Sequence, residues 1–490
     1  MSADPDGGRL GGRGRRARVI PTLLLVCASA APWAARAAEK PTAIVGATVL
    51  HPELEGAAVV APDSTIIIAG NRIIAVGPAA RTRVPRGAAV IDAHGKWVIP
   101  GLIDSHVHFF QSGDLYTRPD VVDLNSLVPY SEEVRRNRAR LPQTFRVYLA
   151  SGVTSVADVG GPFWNFEVRE AARASPVAPR VATTGPLISM AARPQLDLGD
   201  PPIIRIESAE AARQLVAREL PHKPDYIKVW YIHRAGDDLA AQEAIVRATG
   251  DAAHAAGRRL AVHATELVVA KSALRAGADY LVHSVQDEPV DEEFIALARA
   301  RHILYCPTLY VPLGYAYALS GLWQPTEAEQ RLADPDVLAR LHLPDGTATE
   351  HLPERMAKLL REHREPALPA VAMQNLLRVW NAGITVVMGT DAGNIGTVHG
   401  PSVFREMDLM QRSGLTTLQV LKSATVNGAL TVAVPDLGSV APGKLADLVV
   451  LDADPLAELA NLSRVSYVLR DGRAFRPAEL LQSLRTPSAP

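Results

Sequence analysis

Cysteine is scarce in this sequence, with only 2 in 490 residues, Cys27 and Cys306. Because Cys27 lies in a segment that we expect to be cleaved off, the mature chain would keep only Cys306, and an internal disulfide is excluded. An excess of basic charge is also lacking. The net charge of −1 argues against a nucleic-acid partner, which requires a basic surface. Long apolar runs are lacking too, since the run near the N-terminus is short for a membrane span.

The composition is that of a large globular protein, with 48% hydrophobic and 21% charged residues. A chain of this length has room for a barrel plus a smaller domain. Residues 1–37 have the features of an export signal: basic RGRRAR, apolar VIPTLLLVCASAAPW, and a small-x-small ARA that ends at Ala37. We therefore expect an exported protein, periplasmic or extracellular, that has no membrane attachment after cleavage. The twin-arginine and general export routes both stay open.

Short β-rich segments occur at both ends of the remaining chain. On the N-terminal side they are TAIVGATVL, STIIIAGNRIIAVG and AAVIDAHGKWVIPG, and Gly70-Asn71 between two apolar runs predicts a hairpin. Near the C-terminus the same character returns in GKLADLVVLDAD and VSYVLRDGRAF. We expect residues 41–97 and 433–478 to build one small β-sandwich together.

The middle of the chain, residues 98–432, alternates β-like runs with helical stretches, which is typical of a parallel sheet with crossover helices. Eight runs are candidate strands: GLIDSHVHF, GVTSVADV, RVATTGP, DYIKVWY, RLAVHA, DYLVHS, HILYCPT and ITVVMGTDA. Because a TIM-type (β/α)8 barrel requires eight such units, the predicted fold class is α/β, a barrel with the β-sandwich attached. The long connection at about 309–381 is expected to form a lid or a substrate wall, with an inert surface excursion as the alternative.

Side chains that suit a metal ion stand at the ends of several predicted strands. His106 and His108, one residue apart in VIPGLIDSHVHF, would project from the same strand face. Four other strand-end candidates are Lys228, His263, His283 and Asp391. Each of the six has a structural explanation when taken singly, but barrel active sites form at these strand ends, so we expect them to share one cavity. Imidazole and carboxylate are ligands for zinc and related divalent ions.

Lys228 needs a separate explanation, because an ammonium group has no lone pair to offer a cation. A buried lysine near cations has a lowered pKa and becomes a neutral amine. Such an amine can take up carbon dioxide and form a carbamate, a carboxylate able to bridge two metal ions. In DYIKVWYIH the lysine lies among apolar residues, where an unmodified charge would be costly.

These motifs together resemble the amidohydrolase superfamily, and within it the branch of imidazolonepropionase and the secreted Xaa-Pro dipeptidase-like enzymes. The resemblance covers nearly the whole mature chain, from PGLIDSHVH through GVTSVADVGGP, DYIKVW, AVHA, LVHS and GTDAG to SATVNGALTVAVPDLGSVAPGKLADLVVLDADPL. Two departures put transfer of a relative's substrate in doubt. LVHSV lacks the usual glycine after its histidine, and SVADVGG lacks the arginine that many relatives have before the aspartate.

The resemblance implies a set of ligands and a mechanism. His106, His108 and Asp391 would bind the first metal ion, His263 and His283 the second, and carboxylated Lys228 would bridge them, with zinc as the expected metal. Lys228 favours the binuclear dipeptidase-like side over the mononuclear imidazolonepropionase. The metals would supply a bridging hydroxide and polarise the scissile carbonyl, and Asp391 would act as general base and then acid.

Further candidates concern the substrate, which is expected to be a small molecule. Tyr231, His233 and His399 are candidate substrate contacts, with a purely structural role as the alternative. Arg193 and Arg205 could each meet a substrate carboxylate, and the sequence does not choose between them.

The sequence therefore predicts an exported metal-dependent hydrolase that cleaves a carbon–nitrogen bond in an amide or peptide-like substrate. A lactonase or other ester-type hydrolase on the same binuclear centre is one alternative. A catalytically inactive barrel that only binds is the other. The oligomeric state stays open, with a homo-oligomer among the options.

Overall fold

The structure is a computed structural model that describes residues 40–347 and 352–485. The predicted export signal, residues 1–37, lies outside the described residues. Within the described ranges, no helix is both long and apolar enough to cross a membrane.

Strands and helices alternate through most of the described chain, so the fold is of the mixed α/β class. The strands are β1 (Thr42–Leu50), β2 (Val60–Ala69), β3 (Arg72–Pro78), β4 (Ala89–Asp92), β5 (Trp97–Pro100), β6 (Leu102–Val107), β7 (Val153–Asp158), β8 (Arg180–Thr183), β9 (Leu187–Ser189), β10 (Ile203–Arg205), β11 (Tyr226–Trp230), β12 (Arg259–His263), β13 (Tyr280–Val282), β14 (Leu304–Cys306), β15 (Thr385–Val386), β16 (Leu448–Leu451), β17 (Val465–Arg470) and β18 (Arg473–Phe475). The helices are α1 (Tyr130–Ala139), α2 (Leu141–Ala150), α3 (Asn165–Ala174), α4 (Ala209–Glu219), α5 (Leu239–Ala255), α6 (Leu267–Arg275), α7 (Glu292–Ala300), α8 (Val311–Leu319), α9 (Glu327–Leu332), α10 (Pro335–Ala339), α11 (Glu354–Glu362), α12 (Ala370–Asn381), α13 (Ser402–Arg412), α14 (Thr417–Ser423) and α15 (Pro477–Arg485).

One eight-stranded sheet takes strands from both ends of the chain, in the order β18-β17-β16-β5-β1-β2-β3, with β4 paired to β1. Strand β5 joins the two ends, because it pairs in parallel with β1 and antiparallel with β16. The predicted hairpin is confirmed: β2 and β3 pair antiparallel around Gly70, whose φ of +57° suits glycine. Buried aliphatic side chains such as Ile44, Ile66 and Leu448 fill one core of this sheet.

Ten parallel strands from the middle of the chain form two further sheets. Strands β6, β7 and β8 make a three-stranded sheet, and β10-β9-β11-β12-β13-β14-β15 make a seven-stranded one. Each of the eight predicted runs contains one strand, namely β6, β7, β8, β11, β12, β13, β14 and β15. The short strands β9 and β10 were not predicted.

Strand pairing leaves the two parallel sheets as separate sheets, so it does not by itself close a barrel. Backbone hydrogen bonds connect them at both junctions, among them Ser105 N–H to Met388 O at 2.9 Å and Asp225 N–H to Thr183 O at 2.8 Å. Strand β15 has only two residues, although the predicted run was longer. The chain turns after it, with φ values of +61° at Asp391 and +107° at Gly393.

Local sequence signals account for the helices between these strands. Helix α5 begins after Asp238, whose carboxylate accepts hydrogen bonds from the N–H groups of Ala240 and Ala241. Shortly after it ends, Gly257 takes a φ of +68°, which lets the chain turn into β12. Such short connections bring the ends of successive parallel strands to the same edge of the sheet.

The long connection at about 309–381 contains helices α8 to α12. Its described part carries an apolar cluster of its own, in which Trp323 and Met356 pack with Leu115 and Tyr116 from the loop after β6. The Trp323 indole N–H also donates to Gly396 O at 2.9 Å, in the loop after β15. This connection is therefore anchored to the loops that follow the first and last of the eight predicted strands.

Candidate active site

A cavity of about 280 Å³ opens at the carboxyl ends of the parallel strands. Its lining includes five of the six predicted metal ligands together with aromatic, amide and aliphatic side chains: His108, Phe110, Gln111, Arg118, Leu187, Ile203, Lys228, Trp230, His263, Thr265, His283, Gln286, Val311, Pro312, Tyr315, Asp391 and Asn394. The sixth, His106, lies directly beneath Asp391 and is fully buried. The structure thus brings all six side chains together.

Three electron-rich atoms converge at the base of the cavity. Nε2 of His106 and Nε2 of His108 lie 3.3 Å apart, and they lie 3.2 and 3.1 Å from Oδ1 of Asp391. Two ligand atoms that each bind zinc tetrahedrally at about 2.1 Å lie about 3.4 Å from each other. The observed spacings therefore fit a divalent ion held among these three residues.

The hydrogen bonds of His108 leave its Nε2 free to bind a cation. Its Nδ1–H donates to Gly160 O at 2.7 Å, so Nε2 carries the lone pair. Oδ1 of Asp391 is buried and accepts no hydrogen bond from a described residue, although two imidazole nitrogens lie within 3.2 Å. A bound cation would satisfy both atoms.

A second group of donors lies beside the first. The imidazole rings of His263 and His283 have centroids 4.4 Å apart, and Nε2 of His283 is 3.9 Å from Oδ2 of Asp391. Ligand atoms of His106, His283 and Asp391 all lie within 4.8 Å of one another. Burial, followed by the neighbouring positive groups, lowers the pKa of His106, His263 and His283 well below the usual histidine value. These imidazoles are thus neutral and able to bind a metal ion.

Lys228 extends from β11 into the same group and is buried, with 1% of its surface exposed. Its Nζ has no hydrogen-bond partner among the described residues. Burial lowers the pKa of Lys228 to about 7, against the opposing effects of Asp391 and Cys306. An unpartnered amine with a lowered pKa fits the predicted carbamate, because its neutral form can take up carbon dioxide and carboxylation would provide two oxygen atoms as ligands.

Unusual backbone conformations aim two of the ligands into the cavity. Asp391 has a φ of +61° and His283 a φ of +76°, values that cost energy for residues other than glycine. Asp104 holds the turn next to Asp391, because its carboxylate accepts hydrogen bonds from Thr390 N–H at 3.0 Å and Thr390 Oγ1 at 2.6 Å. Its Oδ1 also lies 3.3 Å from the backbone N–H of His106.

The predicted substrate contacts Tyr231 and His233 lie outside the cavity lining. Side chains alternate along β11, so Lys228 and Trp230 face the cavity while Tyr231 faces the helices. The Tyr231 hydroxyl lies 3.0 Å from Ser272 Oγ, and His233 Nδ1 lies 2.8 Å from Gln242 Oε1.

His399 is likewise occupied by other contacts. Its Nε2–H donates to Gln111 O at 2.8 Å, its Nδ1 accepts from the Tyr148 hydroxyl at 2.8 Å, and its ring stacks on Phe109. Both ring nitrogens of His399 are therefore bonded within the fold, which favours the structural alternative over a substrate contact.

Arg118 is a cavity residue that the sequence did not single out. Its guanidinium pairs with both oxygens of Asp120, at 2.7 and 2.8 Å, and donates to Asn394 Oδ1 at 2.7 Å. Among the described lining residues it is the only cation besides the candidate ligands. Its place in the polar and aromatic loop GDLYTRPD, directly after the two-histidine strand, is the signal that could have identified it.

The two arginines proposed from the sequence have different surroundings. Arg193 pairs with Asp120 at 3.2 Å, and its guanidinium carbon lies 4.5 Å from the centre of the Trp230 ring. Arg205 is half exposed and pairs with Glu207 at 2.8 Å on the surface. Arg193 thus contacts the wall of the cavity, and Arg205 does not.

This combination of parallel strands, clustered imidazoles and a buried lysine forms a candidate metal site at the carboxyl ends of the strands. Comparison with known protein families places the chain in the amidohydrolase family, whose model matches residues 97–475. The chain belongs to this family. The prediction of a hydrolase that acts on carbon–nitrogen bonds is thereby confirmed at the level of enzyme class.

Individual relatives are distant. Imidazolonepropionase of Deinococcus deserti is 26% identical over 414 residues, which cover 83% of this chain and 88% of that protein. Among solved structures, a putative prolidase from Bifidobacterium longum matches with a TM-score of 0.65 and 24% identity, over 92% of this chain and 100% of that one. Molinate hydrolase matches with a TM-score of 0.68 and 22% identity, over 92% and 99% of the two chains. At these identities the structures show a shared fold.

The contacts of His399 predict that its replacement affects stability and leaves substrate binding intact. In His399→Phe the ring could still stack on Phe109, but Gln111 O and the Tyr148 hydroxyl would each lose a hydrogen bond. We expect the free energy of unfolding to fall by about 2 kcal/mol, measured by urea denaturation. A raised KM with unchanged stability would instead restore His399 as a substrate contact.

Proposed function

We propose that the protein is an exported metal-dependent amidohydrolase that cleaves an amide or peptide-like carbon–nitrogen bond in a small substrate. One observation carries the proposal: Nε2 of His106, Nε2 of His108 and Oδ1 of Asp391 converge to within 3.3 Å in a buried site that also contains the unpartnered amine of Lys228. Membership of the amidohydrolase family supports it.

The residues of the site divide into two ligand groups. His106, His108 and Asp391 would hold one divalent ion, and His263 and His283 the other, with a carbamate on Lys228 shared between them. Zinc is the expected ion, because imidazole and carboxylate ligands suit it. When bound, such ions lower the pKa of a water molecule and polarise the carbonyl of the substrate.

Asp391 would move the proton during the reaction. Its Oδ2 lies 3.9 Å from Nε2 of His283, and Oδ1 faces His106 and His108. One oxygen can therefore stay a ligand while the other accepts the proton of the attacking water. Asp391 would then return this proton to the leaving nitrogen. Phe110, Trp230 and Tyr315 line the same cavity and would exclude bulk water from the bound substrate.

The positive charge of Arg118 in the cavity lining favours a substrate that carries a carboxylate. Asp120 is shared by Arg118 and Arg193, so two guanidinium groups face one carboxylate and one net positive charge remains beside the cavity. Asn394 and the Tyr315 hydroxyl hold the Arg118 guanidinium at 2.7 and 3.1 Å. We propose that this charge binds an anionic group of the substrate, with the aromatic walls contacting its apolar part.

Closure of the two parallel sheets into one barrel is also part of the proposal. The parallel strands β6, β7, β8, β11, β12, β13, β14 and β15 would close into a (β/α)8 barrel. Backbone hydrogen bonds at both junctions between the sheets, from Ser105 to Met388 and from Asp225 to Thr183, support closure. The cavity at the carboxyl ends of these strands is where barrel enzymes have their active sites.

Replacing Asp391 tests the proposed chemistry. Asp391→Asn removes the group that would accept the proton, so we expect kcat to fall by about 10²-fold to 10⁴-fold. The measurement is hydrolysis of a panel of dipeptides, N-acyl amino acids and lactones. Asp408→Asn is a matched control, because Asp408 is 58% exposed on α13 and pairs with Arg412 of the same helix. Full activity of Asp391→Asn, or hydrolysis by the unaltered protein of lactones alone, would contradict the proposal.

The charge of Arg118 predicts a preference for anionic substrates. In Arg118→Gln we expect KM for a carboxylate substrate to rise about tenfold or more, equal to about 1.4 kcal/mol, with KM for the matching carboxamide little changed. Arg205→Gln is the control and should leave both values unchanged, because Arg205 pairs with Glu207 at the surface. Equal effects of Arg118→Gln on both substrates would argue against a carboxylate contact.

The proposal that the protein is exported rests on the sequence of residues 1–37. We expect the mature protein, recovered from the periplasm or medium, to begin at Ala38, because the small-x-small motif ends at Ala37. N-terminal sequencing of the recovered protein is the measurement. A protein that keeps Met1 and stays inside the producing cell would contradict export.

A further inference from the structure

Two buried carboxylates lie behind the metal ligands and take no part in the chemistry proposed above. Glu406 on α13 and Asp158 at the end of β7 are both fully buried. Neither forms an ion pair with a described side chain, and neither lines the cavity. Burying a carboxylate without a counter-ion costs free energy of folding. We therefore expect each of these two groups to stabilise a neighbouring part of the fold.

Glu406 holds the segment that follows β14. Its two carboxylate oxygens accept hydrogen bonds from the backbone N–H groups of Leu309 and Tyr310, both at 2.8 Å. The residue directly before them, Thr308, has a φ of +44°, a conformation that is unfavourable for a β-branched residue. The two hydrogen bonds to Glu406 thus keep Thr308 in a strained backbone conformation.

Thr308 in turn contacts a metal-ligating imidazole. Its Oγ1 lies 2.6 Å from Nδ1 of His283. If Oγ1 accepts the Nδ1–H, the lone pair of His283 lies on Nε2, the nitrogen that faces Asp391. A shift of Thr308 would free the ring to rotate or to adopt the other tautomer.

Asp158 likewise holds a backbone segment that contacts an imidazole, here that of His108. Its carboxylate accepts hydrogen bonds from Gly160 N–H at 3.2 Å, Phe109 N–H at 3.2 Å and the Asn165 amide at 2.8 Å. Gly160 O is the group that accepts the Nδ1–H of His108 at 2.7 Å. Gly160 has a φ of +142°, and a Cβ there would come within 2.6 Å of Leu187, so this close approach requires glycine.

We propose that Glu406 and Asp158 are positioning residues of the metal centre, each holding a backbone segment that orients one imidazole through its Nδ1. Glu406 acts through Thr308 on His283, a ligand of the second ion, and Asp158 acts through Gly160 on His108, a ligand of the first. The inference rests on the proposed function, because it assumes that these imidazoles bind metal. It assigns a role to two residues that touch neither ion nor substrate.

Glu406→Gln tests the inference with a readout independent of catalysis. The amide would place an N–H group against a backbone N–H, so the segment at Thr308 should shift. We expect Co²⁺ at the second site to bind about 10-fold to 100-fold more weakly by chelator competition, with a changed visible absorption spectrum. The first site should change less than twofold. Asp158→Asn should give the reverse, weakening the first site.

Glu219→Gln is the matched control. Glu219 is also a fully buried glutamate, at the end of α4, and its oxygens have no hydrogen-bond partner among the described residues. It contacts none of the predicted ligands through a hydrogen bond, so Co²⁺ affinity should stay at the wild-type value. Thermal unfolding of each metal-free variant separates a loss of stability from a loss of affinity.

A double-mutant cycle decides whether Glu406 acts through Thr308. Thr308→Val removes the hydroxyl with little change of shape and should weaken the second site by itself. If the proposed path is correct, adding Glu406→Gln to Thr308→Val should cause less than a twofold further loss of Co²⁺ affinity. Additive losses, or unchanged affinity in Glu406→Gln, would overturn the inference. A wild-type protein that binds no Co²⁺ would instead refute the proposed function itself.

Discussion

The structure depends on one electrostatic constraint, the close approach of buried atoms that can bear lone pairs. Nε2 of His108 and Oδ1 of Asp391 lie 3.1 Å apart, and Oδ1 has no hydrogen-bond partner among the described residues. A bound cation would turn the repulsion between such atoms into attraction. A bound cation would also account for the strained backbone at Asp391 and His283. Such conformations persist where the geometry of a functional site requires them.

Much of the site was predictable because its signals are local. Apolar runs that end in histidine, lysine or aspartate identify strand ends, and parallel strands bring these ends to one edge. The eight predicted runs each contain a strand, and the six candidate ligands lie together. Tyr231, which directly follows β11 at an odd spacing of three residues from Lys228, lies outside the cavity lining.

The remainder of the site depends on contacts between distant segments. Arg118 belongs to the cavity because Asp120 and Asn394 hold it there, and residue 394 is far away in sequence. Glu406 matters only because α13 packs behind the segment that follows β14. The imidazole of His399 could contact a substrate, but its two nitrogens already form hydrogen bonds with Tyr148 and Gln111. Spacing along the chain carries none of this information.

The candidate metal ligands and part of the cavity wall come from different segments of the chain. The candidate ligands lie at or just after the carboxyl ends of the parallel strands, whereas Val311, Pro312 and Tyr315, from the start of the long connection, form part of the cavity wall. Changes in that connection can alter the substrate without moving a ligand, as expected for a fold that serves many reactions.

The most direct test of the central claim is the metal content of the purified mature protein, measured by elemental mass spectrometry. The account predicts about two equivalents of zinc or a similar divalent ion per chain, shared by five ligands and the Lys228 carbamate. One equivalent would show that Lys228 does not bridge two ions. No bound metal, even after incubation with zinc and bicarbonate, would contradict the account.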